Sequence, residues 1–265
     1  MITRIILIGP GRINEACITL SFDHNLHPQP DITYVVSPYP QHMIDRVFAE
    51  FNLDISRYQF LDDLYFEDHY DLSRYKKDHW YYQQAIKLCA LDHFDSEYFI
   101  IQDCDQVPLK PYHMWVDGKL NYKLEVLWNP YQTIYAEMVK ALIGLDRVVE
   151  YSLVNELMPY SKRDWLSLKA LLEQRHNTNW LDAIADIRGF DEVKWFSEFE
   201  LLGIYKTHMD DWASYVAVPQ PPIMTWEEFF QHDWSKQDTV KFLTQPLKYM
   251  NTESAKIVLE HLTTL

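Results

Sequence analysis

The sequence is poor in cysteine and has no long apolar run. Its three cysteines, Cys17, Cys89 and Cys104, form no Cys-x-x-Cys pair, so we expect neither a disulfide framework nor a zinc site. The apolar start of the chain ends at Gly9, which is too short for a signal peptide or a membrane span. No later segment approaches the roughly 18 apolar residues that a span needs. These absences predict a cytoplasmic protein.

Positive charge is also scarce. Lysine and arginine number 24 against 39 acidic residues, which gives a net charge of −15. Such a balance favours solubility and disfavours sequence-independent binding to phosphate backbones, although it leaves room for a local basic groove. With 265 residues, 48% of them hydrophobic, the chain can form one large domain or two small ones packed together, and one α/β domain with C-terminal additions is the simpler interpretation.

Strand-like and helix-like segments alternate through the first half, which predicts an α/β fold with a parallel sheet. The predicted strands are Ile5–Ile8, Asp31–Ser37, Tyr58–Leu61 and Glu97–Gln102. The predicted helices between them are Asn14–His24, Gln41–Phe51 and Asp78–Leu91.

The second half is less regular and predominantly helical. The turn signal Asp117-Gly118 predicts a hairpin between Tyr112–Val116 and Leu120–Leu127. The predicted helices that follow are Tyr131–Ile143, Lys162–Arg175 (with Ser161 as its N-cap), Trp180–Ile187, Glu192–His208, Thr225–His232, Ser235–Leu247 and Thr252–Leu262.

Two carboxylates follow directly on the apolar strand predicted over Glu97–Gln102. Asp103 and Asp105 are two residues apart, so strand alternation points both to one side. Ligands of open α/β folds bind at the carboxyl ends of the strands. Paired carboxylates there can hold a Mg²⁺ or Mn²⁺ ion that also bridges the diphosphate of a nucleotide sugar. An isolated Asp-x-Asp is common in surface turns, so its context decides its meaning.

That context resembles the donor-site half of GT-A glycosyltransferases. The similarity lies in Trp80-Tyr-Tyr-Gln-Gln-Ala-Ile-Lys87-Leu and in Tyr98-Phe-Ile-Ile-Gln-Asp-Cys-Asp105-Gln-Val-Pro-Leu-Lys-Pro111. More narrowly, these segments resemble a family of bacterial and phage proteins with a Trp-x-x-Gln-Gln-x-x-Lys-Leu helix before the Asp-x-Asp strand. Trp195-Phe-Ser-Glu-Phe-Glu200-Leu-Leu-Gly-Ile-Tyr205 is similar to the Ser-Glu-[Tyr/Phe]-Glu-x-x-Gly-x-Tyr element of that family.

The resemblance implies a GT-A, Rossmann-like fold with a mixed, mainly parallel sheet flanked by helices and helical C-terminal additions. It implies a single domain over residues 1–265. Within it, residues 1–115 would form the nucleotide-sugar donor half, residues 116–218 the acceptor half, and residues 219–265 a C-terminal helical extension.

The resemblance also implies roles for matching residues. The implied metal ligands, for Mn²⁺ or Mg²⁺, are Asp103, Asp105 and, from a late helix end, His208. The implied nucleotide-sugar contacts are Gly9, Gly11, Arg12, Gln84, Lys87 and Asp103. The implied catalytic carboxylate, which would deprotonate or orient the acceptor, is Glu198 or Glu200. Residues two positions apart on a helix point about 200° away from each other, so only one of the two should face the donor.

Competing interpretations exist for several of these residues. A dinucleotide-binding fingerprint would need glycine at the position of Asn14, which disfavours it for Gly9-Pro-Gly11. Gln84 and Lys87 share a helix face, but a solvated lysine is a simpler explanation of Lys87. A lone histidine such as His208 is usually no ligand.

We therefore expect a metal-dependent hexosyl- or pentosyltransferase that uses a nucleotide diphosphate sugar, UDP-linked in our interpretation. The bacterial relatives suggest a surface glycan as acceptor. The phage relatives suggest hydroxymethylated pyrimidines in DNA, which would place the enzyme in the host cytoplasm. A DNA groove would draw on Lys162, Arg163, Lys169 and Arg175, although a solvated helix face explains them more simply. A metal-dependent nucleotidyltransferase and a non-catalytic nucleotide-sugar-binding protein are the alternatives.

Overall fold

The computed structural model describes residues 1–125, 131–154, 156–188, 196–217, 225–241 and 250–264. Its helices are α1 (Ile13–Ser21), α2 (Gln41–Glu50), α3 (His79–His93), α4 (Tyr131–Ile143), α5 (Lys162–His176), α6 (Trp180–Arg188), α7 (Glu198–Thr207), α8 (Trp226–Gln231) and α9 (Thr252–Thr263). Its strands are β1 (Ile2–Leu7), β2 (Leu26–His27), β3 (Ile32–Ser37), β4 (Tyr58–Asp62), β5 (Tyr98–Asp103), β6 (Gln106–Pro108), β7 (Tyr112–His113), β8 (Trp115–Val116), β9 (Lys119–Leu124), β10 (Leu157–Ser161), β11 (Trp212–Val216) and β12 (Thr239–Lys241).

The central sheet has five strands in the order β10-β5-β1-β3-β4. β1 pairs with β3 and β3 with β4 in parallel, with Ile5 opposite Tyr34 and Val35 opposite Phe60. From Thr3 to Leu7 every residue of β1 is buried, as expected for a parallel strand covered on both faces. The fold is thus mixed α/β with a mainly parallel sheet flanked by helices, which confirms the predicted fold class.

The chain divides into two compact units. The N-terminal unit comprises Ile2–Asp63, Gln102–Met114 and Ala217–Leu265, and the central unit comprises Met1, Leu64–Ile101 and Trp115–Val216. The predicted division into a donor half, an acceptor half and a C-terminal extension stays a prediction.

The core of the N-terminal unit lies between the β1–β3 strands and helices α1, α2 and α9. Ile6 and Val35 from the strands pack with Ile18 of α1, Phe48 of α2 and Val258 of α9. The C-terminal segment also holds α1 by hydrogen bonds. The Asn14 side-chain amide donates to the Met250 carbonyl at 2.8 Å. This unit further contains the antiparallel pair β6–β12 and the parallel pair β2–β7.

The central unit combines helices α3 to α7 with the three-stranded sheet β11-β9-β8. Trp165 of α5 and Trp180 of α6 pack edge to face, with ring centroids 5.0 Å apart. The hairpin β8–β9 turns at Asp117 and Gly118, both left-handed with φ of 52° and 76°, so the predicted turn is confirmed. The predicted N-cap is also confirmed, because Ser161 Oγ accepts from the Asp164 N–H at 3.0 Å.

Some predicted boundaries are wrong. α1 ends at Ser21 and a 3₁₀ turn covers Asp23–Asn25, so the helix predicted to His24 is too long. The helix predicted over Ser235–Leu247 is wrong at β12, where Thr239–Lys241 finds a strand partner in β6. Residues 242–247 of that helix lie outside the described residues, as do 192–195 of the helix predicted over Glu192–His208 and 126–127 of the hairpin. The described part of the helix predicted over Glu192–His208 begins at Glu198.

No described helix is both long enough and apolar enough to cross a membrane.

Candidate functional site

The two motif carboxylates lie where the buried strand β5 ends. Phe99, Ile100 and Ile101 are fully buried, and the strand continues to Asp103 before a tight turn leads into β6. Carboxylate oxygens of Asp103 and Asp105 lie within 4.8 Å of each other, in an acidic group that could hold a metal ion. Cys104 between them is buried, and burial together with the neighbouring Asp105 raises its thiol pKa well above the usual value. The thiol is therefore protonated and packs in the core.

Side chains from distant parts of the sequence fix the turn that carries these carboxylates. Thr19 Oγ1 of α1 donates to the Cys104 carbonyl at 2.7 Å. The Gln102 side-chain amide donates across the turn to the Gln106 carbonyl at 2.7 Å, and its oxygen accepts from Arg4 Nε at 2.9 Å. Arg4 and Gln102 are completely buried, so the turn is held rigidly on the side that faces the core.

The segment Gly9-Pro-Gly11-Arg12 connects β1 to α1 and turns sharply. The Arg12 N–H donates to the Gly9 carbonyl at 3.1 Å, and Gly11 has a φ of 78°, which favours glycine. The Gly11 N–H donates to the Tyr39 hydroxyl. This turn places Arg12 at the N-terminus of α1.

Arg12 is paired with the motif. Its Nη1 lies 2.8 Å from Asp105 Oδ2 and 3.9 Å from a carboxylate oxygen of Glu15, whose side chain is completely buried. The side chains of Arg12 and Asp105 are only 14% and 13% exposed. The predicted phosphate ligand and the predicted metal ligand are therefore neighbours that neutralise each other.

In the central unit, two of the three segments that carried the resemblance are in contact, namely those on α3 and α7. Lys87 of α3 forms a buried ion pair with Glu198 at the start of α7, and Lys87 Nζ lies 4.5 Å from the centroid of the Phe199 ring. Gln84 Oε1 accepts from the Glu198 N–H at 3.2 Å. Lys87 is thus buried and ion-paired. The alternative interpretation, a solvated lysine, is therefore wrong.

Glu200 binds different partners from those of Glu198. Its Oε1 accepts from Arg147 Nε at 2.5 Å and its Oε2 from the Leu153 N–H at 3.3 Å. Burial raises its pKa to about 7, because the loss of hydration outweighs the opposing effect of Arg147. Glu200 therefore ties the loop that precedes β10 to α7.

His208 caps the C-terminus of α7 and is exposed. Its Nε2 lies 2.7 Å from the Asp146 carbonyl oxygen, which can only accept, so this nitrogen carries the proton. The role of His208 as a metal ligand stays a prediction.

The basic residues of α5 are largely engaged within the central unit. Lys162 Nζ donates to the carbonyls of Leu91 and Asp92, both at 2.8 Å, and so caps the C-terminus of α3. Lys169 pairs with Asp92 at 2.9 Å and Arg163 with Asp211 at 2.5 Å, while Arg175 is exposed. Three of the four positive charges thus have partners within the central unit, so a nucleic acid is not needed to explain their presence.

One kind of residue was missed by the sequence analysis. Arg4, Gln102 and Thr19 support the motif from the core, and only the presence of polar residues in or next to predicted strands and helices could have suggested them.

The sequence model of a family of unknown function, DUF6492, matches residues 21–247. That segment contains the motif carboxylates, Lys87 and Glu198, while Gly9 to Arg12 precede it. No curated protein matches the sequence significantly.

Solved structures of glycosyltransferases share a distant likeness with the chain. The galactosyltransferase LgtC in complex with donor and acceptor sugar analogues aligns at 11% identity over 99% of this chain and 97% of that chain, with a TM-score of 0.49. An active-site mutant of LgtC aligns at 12% identity over 99% and 97%, with a TM-score of 0.48. Mouse xyloside xylosyltransferase 1 in its apo form aligns at 12% identity over 88% and 90%, with a TM-score of 0.45. The family match spans well over half of the sequence, so the chain belongs to the family of unknown function DUF6492.

Proposed function

We propose that this protein is a metal-dependent glycosyltransferase of GT-A type. It would move a hexose or pentose from a nucleotide diphosphate sugar, UDP-linked in our proposal, to an acceptor hydroxyl. The observation that carries the proposal is the juxtaposition of Asp103 and Asp105 at the end of β5 with Arg12 at the start of α1.

The donor atoms of the motif suit a divalent metal. Hard cations such as Mg²⁺ and Mn²⁺ prefer carboxylate oxygens and are often bound through one or two carboxylates plus substrate phosphates. Asp103 and Asp105 supply such oxygens within 4.8 Å of each other. A metal ion bound here would neutralise the charge that develops on the leaving diphosphate. Arg12 adds a second cation beside the same carboxylate.

His208 stays our proposed third metal ligand. The variant His208→Gln tests this proposal by its effect on Mn²⁺ affinity, which should fall if the imidazole is a ligand.

Glu198 is the carboxylate that we propose to orient the acceptor. Its ion pair with Lys87 and the hydrogen bond from its N–H to Gln84 fix its position on α7. Glu200, which is bound by Arg147 and the Leu153 N–H, would instead support the architecture. In this proposal Lys87 acts through Glu198 rather than as a direct ligand of the diphosphate.

A glycan is the acceptor that we propose first. The net charge of −15 disfavours a DNA backbone as a partner, and Lys162, Lys169 and Arg163 already have carbonyl or carboxylate partners within the central unit. Hydroxymethylated pyrimidine in DNA is the second candidate acceptor. It would require the target base to be extruded into a pocket.

The test is incubation with a panel of nucleotide sugars, Mn²⁺ and candidate acceptors, followed by mass spectrometry of the acceptors and measurement of the released nucleoside diphosphate. We expect a hexose or pentose mass increment with one donor. Asp103→Asn and Asp105→Asn should each lower the rate by at least about 100-fold, since each removes a proposed metal ligand. Asp68→Asn, which makes the same charge change at an exposed position, should leave it unchanged.

The outcomes also distinguish the alternatives. Thermal stabilisation by nucleoside triphosphates but not by UDP with Mn²⁺ would favour a nucleotidyltransferase. Stabilisation by UDP with no transfer or hydrolysis of any sugar donor would indicate a binding protein. Full activity of Asp105→Asn would contradict the proposed site.

A further inference from the structure

Arg12 lies close enough to Asp105 to affect the binding of a metal ion by that carboxylate. Its guanidinium is 2.8 Å from Asp105 Oδ2, on side chains that are both mostly buried. The Glu15 carboxylate, completely buried on the first turn of α1, lies 3.9 Å from the same nitrogen. Arg12 therefore compensates acidic charge that the surrounding protein could not otherwise bury without cost.

The backbone around Arg12 is fixed, and its side chain starts at the N-terminus of α1. The left-handed Gly11 and the hydrogen bond from the Arg12 N–H to Gly9 hold the turn. The guanidinium extends from the N-terminus of α1, where helix N–H groups favour anions. A phosphate oxygen arriving at this end would find both the helix terminus and the planar donor fork of arginine.

We infer that Arg12 couples metal binding to diphosphate binding. It neutralises Asp105 before the substrate arrives, opposes a divalent cation at Asp105, and transfers its hydrogen bonds to the diphosphate when that group binds. The inference rests on the proposed function, because it takes Asp105 as a metal ligand. It adds that the metal binds weakly alone and tightly with a nucleoside diphosphate.

Electrostatics decides whether removal of Arg12 strengthens or weakens metal binding. A guanidinium in contact with a metal ligand repels a divalent cation over a few ångströms in a partly buried setting. Arginine could instead help by orienting the carboxylate, in which case its removal would weaken metal binding by roughly 10- to 100-fold. The repulsion acts between full charges, whereas orientation adds one hydrogen bond to a turn already fixed by Thr19 and Gln102. We therefore expect repulsion to dominate.

The experiment measures Mn²⁺ binding to the purified chain by calorimetry or by the electron paramagnetic resonance signal of free Mn²⁺, without and with UDP. In the wild type, UDP should tighten Mn²⁺ binding by at least about 10-fold, within the usual range for coupled sites. Arg12→Gln should bind Mn²⁺ at least about 10-fold more tightly than the wild type without UDP. It should also lose most of the UDP effect. Arg46→Gln removes an exposed arginine from the same unit and should match the wild type.

A second variant and a stability measurement show whether a change in Mn²⁺ binding comes from misfolding of the Arg12→Gln variant. Arg12→Lys keeps the charge and should give intermediate values. The melting temperature of Arg12→Gln in EDTA should lie below that of the wild type and recover when Mn²⁺ is added.

Unchanged or weaker Mn²⁺ binding by Arg12→Gln would overturn the coupling while leaving the metal site intact. Absence of Mn²⁺ binding by the wild type, with and without UDP, would overturn the proposed function and the coupling with it.

Discussion

Glu198 and Glu200 stand two residues apart at the start of α7 and hold different parts of the central unit. Glu198 pairs with Lys87 on α3, whereas Glu200 binds Arg147 and the Leu153 N–H. Both carboxylates are buried, but burial raises the pKa of Glu200 to about 7 even beside an arginine. At the scale of single residues, the two glutamates of one motif thus have separable roles.

The raised pKa of Glu200 makes stability depend on pH. The folded state binds the proton more tightly than the unfolded state, so the contribution of Glu200 is complete below pH about 4.5 and is lost as pH rises through about 7. We expect Glu200→Gln to remove this dependence. The stability of the wild type relative to the variant should fall by roughly 1 to 3 kcal/mol between pH 4.5 and pH 8. Chemical denaturation at both pH values measures this difference, and a constant difference would contradict the prediction.

The pairings in the site are the part that one sequence could not supply. Asp103 and Asp105 could be predicted at a strand end because the apolar run before them is local information. The pair of Arg12 with Asp105 joins residues 93 positions apart, and that of Lys87 with Glu198 joins residues 111 apart. Such contacts arise from packing of whole elements, which residue spacing along the chain does not encode.

At the scale of elements, α7 is fitted closely to the loop before β10. A Cβ added at Gly203 would lie 2.7 Å from Leu153 Cβ, although the backbone there is ordinary helix. Leu153 is completely buried, and its N–H is bound by Glu200. Glycine is therefore needed at this position for close approach, not for its backbone freedom.

We expect Gly203→Ala to destabilise the protein by roughly 1 to 3 kcal/mol, because overpacking outweighs the better helix propensity of alanine. Urea denaturation followed by circular dichroism measures the change. Leu166→Ala, at an exposed position on α5, should stay within about 0.5 kcal/mol of the wild type. An equally stable Gly203→Ala variant would show that the loop can move away from α7.

Elements were predictable where one local pattern dominated. The long helices α3 and α5 and the buried strands β1, β3 and β5 have such patterns and were confirmed. The strands β10, β11 and β12 were not predicted, since each is only three to five residues long and gives too short a pattern to recognise. For β11 and β12 the structure gives the pairing that makes them strands, with β9 and with β6.

At the scale of the whole molecule, the charge balance predicts weak interaction with nucleic acid. With a net charge of −15, the wild type should not retain unmodified double-stranded DNA in a gel-shift assay at micromolar protein and about 150 mM salt. The matched measurement is binding of UDP with Mn²⁺ by the same preparation, which should be detectable. Retention of DNA that weakens steeply with added salt would instead revive DNA as an acceptor.

The pairing of β6 with β12 has a consequence for how the molecule matures. β6 begins one residue after Asp105, yet its antiparallel partner lies at Thr239–Lys241, more than 130 positions later. During synthesis the segment that follows the carboxylates therefore leaves the ribosome long before the strand that borders it. Contacts so distant in sequence form late in folding. The turn that carries Asp103 and Asp105 should therefore reach its final form only after residues 239–241 have been made, and a product terminated before them would carry the motif without this neighbouring strand.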